Sequence, residues 1–428
     1  MLFPFIIVYC ILLKHINGSL TIFHSLFTLG IMAKNSILLA AAVLIFFTGC
    51  SRGRISSVTR MDLFTLEIGP LEDQINLYEL AVNRSNRTSL AMRDGLFYIS
   101  DTAGGKIVRY NSYGDLLFVI YNEEICPPPI TLRRGIDEEG LATRWSINYP
   151  LKEPGVITVD SRKHIYTADK VDDEKRSNDT EDGALLDNIV LHFDEYGRFV
   201  NFLGQEGIGG RPFPRIMGIY ASCDDEIAVV CLMVSGWNIY WFNADGTLLY
   251  LVHLRKDSIP MPQADVDYAS VDTVAAAPDA RRLFFKIDYY RNVIDENNNS
   301  MAVPDNSAIW VMNVETGAYY EPVTVPFFEY TTTENDKKIT QKLPYAMLGV
   351  IKDSHVFLYF PVDGGYSLLV LTAGSKEQRR GFIQVKNDEL EYNAFNLSNE
   401  GILSGLLATE WEARLVWWRT ERLMGVNL

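Results

Sequence analysis

Ile165-Tyr166-Thr167-Ala168-Asp169, then a polar loop, then Ile189-Val190-Leu191-His192-Phe193-Asp194-Glu195-Tyr196-Gly197: this stretch decides the fold, because the chain contains it twice. An earlier copy reads Phe97-Tyr98-Ile99-Ser100-Asp101, then Ile107-Val108-Arg109-Tyr110-Asn111-Ser112-Tyr113-Gly114. An apolar strand, a break, a second strand and the same turn, returning along one chain, mean one supersecondary unit used repeatedly.

The turns carry the pattern outward. Asn111-Ser112-Tyr113-Gly114, Asp194-Glu195-Tyr196-Gly197 and Asn243-Ala244-Asp245-Gly246 share one design. Asn or Asp at the first position accepts backbone hydrogen bonds, and Gly at the fourth takes the left-handed conformation that follows a type I turn. An aromatic residue precedes each turn (Tyr110, Phe193, Phe242), and an apolar strand leaves it. Strand candidates continue to the C-terminus with no long amphipathic helix between them, so the chain reads as all-β.

Pro154-Gly155-Val156-Ile157-Thr158-Val159-Asp160, followed by His164-Ile165-Tyr166-Thr167-Ala168-Asp169, resembles the opening two strands of an NHL repeat. Ser100-Asp101-Thr102-Ala103-Gly104-Gly105-Lys106-Ile107-Val108 is similar to that family's second turn. The resemblance covers roughly 96–120 and 154–204, and more weakly 216–254. It implies four-stranded blades of a β-propeller and says nearly nothing about chemistry. Extending the strand rhythm gives blades over Val271–Pro322, over Ala346–Val385 and around 402–419, hence an expected six-bladed propeller, with five to seven allowed. A ring must close or leave strand edges unpaired. Met61–Ile68, with Phe64, Leu66 and Ile68 on one face, is the expected closing strand, pairing with the C-terminal blade.

The start of the chain reads as an address. Lys34 precedes the apolar run Ile37–Phe47, then Thr48-Gly49-Cys50 and polar Ser51-Arg52-Gly53-Arg54. A positive flank, a short apolar segment and small residues describe a secretory signal peptide. The Phe-Thr-Gly-Cys ending resembles a bacterial lipobox, which implies acylation at Cys50. The expected division is therefore a leader over 1–50, a tether over 51–60 and one propeller domain over 61–428. Met32-Ala33-Lys34 itself reads as a start, which leaves 1–31 as a candidate untranslated extension.

Composition narrows function. With 39 basic and 54 acidic residues the chain carries a net charge of −15 and no basic patch, which argues against a nucleic-acid partner. Cys126, Cys223 and Cys231 remain outside the leader; Cys223 and Cys231 are placed too far apart along a hairpin for a bridge and read as buried thiols. His164, His192, His253 and His355 show no metal-ligand spacing and read as structural. Asp101 and Asp169 hold equivalent places in two repeats and read as turn stabilisers. Asp295-Glu296-Asn297-Asn298-Asn299-Ser300 looks superficially like a calcium loop, but lacks its glycine and its final glutamate, and reads as a polar insertion. Trp411, Trp417 and Trp418 read as blade-packing aromatics, the acidic stretch Val171–Asp182 as a mobile solvent loop, and the triplets at Asn83, Asn86, Asn178, Asn298 and Asn396 as chance matches to glycosylation sites.

No catalytic residue, metal ligand or cofactor site is read from the sequence. The expectation is a non-enzymatic binding or scaffold module, membrane-anchored by its lipid on the periplasmic or outer surface of a bacterial cell envelope. Its partner would be a protein, a peptide or an envelope polymer. The alternative is a propeller hydrolase, lactonase or lyase with a metal at the central channel, which requires Asp, Glu, Asn or His from separate blades to converge there.

Overall fold

The computed structural model describes residues 56–77, 87–135, 143–262, 266–294, 298–334, 337–389 and 391–424. The leader with Cys50, the glycosylation-like Asn83 and Asn86, and Asp295–Asn297 of the calcium-like loop lie outside them. The described residues contain no α-helix and form six sheets of four or more strands, with two small hairpins between them.

Sheet I is built on Ser89–Arg93, Leu96–Asp101, Lys106–Tyr110 and Leu116–Tyr121. Sheet II uses Ile157–Val159, Ile165–Lys170, Asn188–Phe193 and Phe199–Gly204. Sheet III runs Arg215–Ala221, Ile227–Leu232, Gly236–Phe242 and Leu248–Arg255. Sheet IV runs Tyr268–Ala276, Arg282–Ile294, Ser300–Asn313 and Val323–Thr324. Sheet V runs Ala346–Ile351, His355–Val362, Gly365–Thr372 and Gln378–Gln384. Sheet VI takes Tyr392–Leu397, Ile402–Ala408 and Glu412–Arg419 from the C-terminus. The first strand of each sheet touches the first strands of its two neighbours, closing a circle around a central channel. This is a β-propeller.

Alternation along the strands explains the packing. Period-2 side chains give each sheet two apolar faces, and both are buried when sheets stack around an axis. Ile99 and Val108 pack toward sheet VI, while Tyr98 and Ile107, next to them in the chain, pack toward sheet II. The same division recurs at every junction, giving six apolar clusters between six sheets. Each fully buried Leu, Ile or Phe contributes roughly 1.5–3 kcal/mol.

The repeated turns form as their chemistry dictates. Asn111 Oδ1 accepts the Tyr113 and Asp115 N–H groups, Asp194 Oδ1 those of Tyr196 and Arg198, and Asn243 Oδ1 those of Asp245 and Thr247. Gly114, Gly197 and Gly246 adopt φ of 88°, 82° and 81°. The register of each hairpin shifts by a bulge directly beside Tyr110, Phe193 or Phe242.

The ring is closed by the N-terminal strand Arg60–Glu67, antiparallel to Glu412–Arg419 with Met61 opposite Trp417 and Leu66 opposite Ala413. Glu389, fully buried in the connection from sheet V to sheet VI, latches this seam. Its carboxylate accepts two bonds from Arg60 (2.5 and 2.8 Å) and one from Arg414 (3.0 Å). Burial alone would raise this carboxyl, but the Arg60 hydrogen bonds, the Lys386 N–H and Arg414 outweigh it and hold the group at about 2. Ser56–Ser57, in the stretch read as a tether, adds a short parallel strand to sheet V, and Val58 is buried against it.

Three expectations need correction. The loop over 171–182 is ordered: Ser177–Asn178 pairs with Leu185–Leu186, and Asp182 bonds the Ser235 N–H and hydroxyl of sheet III. Leu186 is buried beneath it, which supplies the apolar anchor that the charged sequence concealed. Cys223, expected to be buried, is exposed in its turn, whereas Cys231 is buried as expected and Cys126 is buried too. Trp418 packs in the core, but Trp411 sits in a connection with 79% of its surface exposed.

Candidate functional site

Strand direction sorts every connection onto one of two rims. In a four-stranded antiparallel meander, the links between first and second strands and between third and fourth emerge at one end. The links between second and third strands, and from the outer strand to the next sheet, emerge at the other. Here the first rim carries the short turns at 94–95, 111–115, 160–164, 194–198, 222–226, 243–247 and 398–401. The second carries the described residues of the long excursions: 68–77 and 87–88, 122–135 and 143–156, 171–187, 256–262 and 266–267, 291–294 and 298–303, 326–334 and 337–345, and 385–389 with 391.

The turn rim is stitched to itself. The Ser161 N–H and hydroxyl donate to Asp225, Cys223 N–H to the Pro278 carbonyl, and Asp353 N–H to Asp279, linking sheets II, III, IV and V in order. Glu226 accepts from Arg281 (2.6 and 3.0 Å) and from the buried Trp241 indole (2.7 Å). The Arg281 contacts outweigh desolvation and hold this carboxyl below its usual range. His164 and His192 meet beside the same rim, with Nδ1 and Nε2 2.9 Å apart and Tyr166 stacked on His192. Burial, then the neighbouring His164, lowers His192 to about 4. His355 bonds the Thr372 hydroxyl within sheet V.

On the insertion rim, Asp101 and Asp169 hold the roots of excursions, as their equivalent places in the repeats suggested. Asp101 accepts the Gly104 and Asn76 N–H groups, and Asp169 those of Lys152, Glu153 and Lys170. Desolvation raises both to about 6 despite these donors. Lys106, fully buried beside Asp101, donates to the Leu71 carbonyl, and burial lowers its pKa. The tips carry more exposed apolar residues than the turn rim, where Tyr113, Tyr196 and Tyr320 are exposed. Leu71, Ile130, Leu185, Val234, Ile294, Tyr330 and Trp411 all reach into solvent from the insertion rim, with Ile130 89% exposed. Sequence reasoning placed Trp411 in the blade packing and did not single out the others, several of which adjoin apolar neighbours such as Leu186, Met233 and Val293.

A channel space of about 200 Å³ runs between the first strands of all six sheets. Met92, Thr158, Tyr220, Leu348 and Phe395 line it, and among the described residues its charged ones are Arg93 and Glu400. Among the described residues no three His, Cys, Asp or Glu side chains come together in a way that would hold a metal ion.

The chain matches no family model and no curated protein sequence. Among solved structures it is similar to a gluconolactonase from Xanthomonas campestris, at 12% identity over 86% of this chain and 99% of that one, with a TM-score of 0.38. It is similar also to the β-propeller domain of the Trilobed protease from Pyrococcus furiosus, at 11% identity, 78% and 96% coverage and a TM-score of 0.37. The PQQ-bound aldose sugar dehydrogenase from Streptomyces coelicolor matches at 10% identity, 85% and 98% coverage and a TM-score of 0.38. At this distance the likenesses carry no argument about chemistry.

Proposed function

We propose that the chain is a six-bladed, NHL-like propeller lipoprotein, acylated at Cys50 and held at the bacterial cell envelope, whose insertion rim binds a protein partner. The observation that carries this reading is the partition of the two rims. Isolated apolar tips on one end of a rigid ring, opposite an end stitched by hydrogen bonds, are what a recognition surface needs. Aromatic anchors such as Trp411 and Tyr330 are the residue types that dominate binding energy when a partner covers them. The alternative, a metal hydrolase, lactonase or lyase working in the channel, needs convergent ligands from several blades. The charged groups lining the described channel are one guanidinium and one carboxylate.

The test replaces Trp411, Tyr330 and Ile294 together by alanine in the full chain and sizes the protein in gently solubilised membranes by native electrophoresis. The reading expects a discrete complex for the native chain and its loss for the variant at unchanged thermal stability. An unchanged complex in the variant contradicts it. Replacement of Cys50 by alanine is expected to release the chain from the membrane fraction and to abolish fatty-acid labelling.

A further inference from the structure

A second cavity, of about 270 Å³, lies beside sheet III on the insertion side, under the hairpin of 177–186. Its wall holds a chain of side-chain hydrogen bonds whose direction can be worked out from one fixed end. Gln205 Nε2 lies 2.6 Å from the Pro212 carbonyl, which only accepts, so the Gln205 amide nitrogen must point there. Gln205 Oε1 therefore faces Tyr240 and takes its single hydroxyl proton at 3.1 Å. The Tyr240 oxygen then accepts from Asn238 Nδ2 at 3.4 Å, which turns Asn238 Oδ1 toward His253. At 2.8 Å, His253 Nδ1 must carry a proton toward Asn238 Oδ1, which leaves Nε2 as the ring nitrogen able to hold a lone pair. Tyr240 is buried and Gln205 lies across the sheet boundary, so the relay is a fixed part of the wall.

The remaining groups define what that lone pair can meet. Arg211 is paired with Glu206 at 2.7 Å and Arg255 stands 4.0 Å from Glu181, so each guanidinium beside the cleft has a carboxylate facing it. Asp182 is engaged by Ser235 and Ala184, and Asp179 accepts the N–H groups of Glu181 and Asp182, which leaves no carboxylate set for a divalent cation. What the cleft offers is an oriented neutral acceptor, several countercharged donors and acceptors, and the half-exposed Leu251. Hydroxyl groups both donate and accept, and suit such a lining better than an ion. The volume falls below the roughly 300–1,000 Å³ of drug-sized sites, which fits one small ring.

We propose that this cleft is a binding site for a neutral polyhydroxylated ring, a monosaccharide unit, one hydroxyl of which donates to His253 Nε2. The proposal rests on the relay and does not depend on the apolar tips. Asn238 acts as a positioning residue: it sets the tautomer that makes Nε2 an acceptor.

The experiment titrates the full chain, labelled with 15N-histidine, with glucose, galactose and N-acetylglucosamine, with inorganic phosphate and Zn²⁺ as controls. At least one sugar is expected to saturate and to shift the His253 ring signals in the Nε2-acceptor form. His253→Ala should weaken that binding at least tenfold. Asn238→Asp, which favours the doubly protonated ring, should weaken it comparably while the circular dichroism spectrum and melting temperature stay unchanged. Saturation by phosphate or Zn²⁺ in place of every sugar, sugar binding that leaves the His253 signals unmoved, or no sugar binding at all overturns the proposal.

Discussion

The two rims of the ring are made from the same strands and differ in what joins them. On one, short turns repeat one geometry: a carboxylate or amide at the first position, a left-handed glycine at the fourth, and bonds that link sheets II to V in order. On the other, buried aspartates hold the roots of long excursions whose tips end in exposed apolar side chains. The lesson is a division of labour in which hydrogen bonding is spent on holding the ring at one end. At the other end it secures only the bases of the loops, and the tips are left to meet something else.

The largest expected effect removes the frame that both rims share. Glu389→Gln leaves Arg60 and Arg414 without their buried counter-charge at the closing seam. Breaking such a pair costs about 3–5 kcal/mol. Urea denaturation should show this loss, together with early protease cleavage near the N-terminal strand. A variant as stable as the native chain would remove the latch from the account.

Acid should separate the rims. Asp101 and Asp169 titrate at about 6 in the folded protein, above the ordinary carboxylate value of 3.8. Their contribution is therefore fully present below that ordinary value and is lost as pH rises through about 6. Going from pH 7 to pH 4 each should add up to about 2–3 kcal/mol. Glu226 on the turn rim is held low by Arg281, so its contribution is present above about 4.5 and lost as pH falls below it. Asp169→Asn should therefore flatten the gain between pH 7 and 4 measured by denaturant unfolding. Glu226→Gln should flatten the loss at lower pH. Identical pH profiles for both variants would erase the contrast.

A smaller change probes the turn rim alone. Gly197 holds φ at 82°, and a Cβ there would sit 3.2 Å from Ile120 of sheet I. The left-handed backbone costs a branched residue about 1–2 kcal/mol, so Gly197→Val should lower the melting temperature by several degrees while leaving the apolar tips intact.

The turn rim was largely legible in the sequence, because an Asn-x-x-Gly turn is a local event settled by four residues. The closing role of Met61–Ile68 was legible too, since its alternation left one apolar face and the ring needed an edge covered. The insertion rim was not. The order of the 171–187 excursion depends on Asp182 reaching Ser235 and on Leu186 finding a buried seat, contacts about fifty residues apart or set by one leucine in a charged run. The His253 relay draws on Gln205, Asn238 and Tyr240 from two sheets, and only the period-2 spacing of Asn238 and Tyr240 hinted at a shared face. Trp411 was misplaced in the core because its neighbours Trp417 and Trp418 follow strand periodicity and it does not.

The central claim is that recognition belongs to one rim. A photo-reactive amino acid placed singly at Trp411, Tyr330, Tyr113 or Tyr196, followed by irradiation of intact cells, tests it most directly. The account predicts a discrete cross-linked species from Trp411 and Tyr330 and none from the turn-rim tyrosines. Adducts formed chiefly at Tyr113 and Tyr196, or at no position, would contradict it.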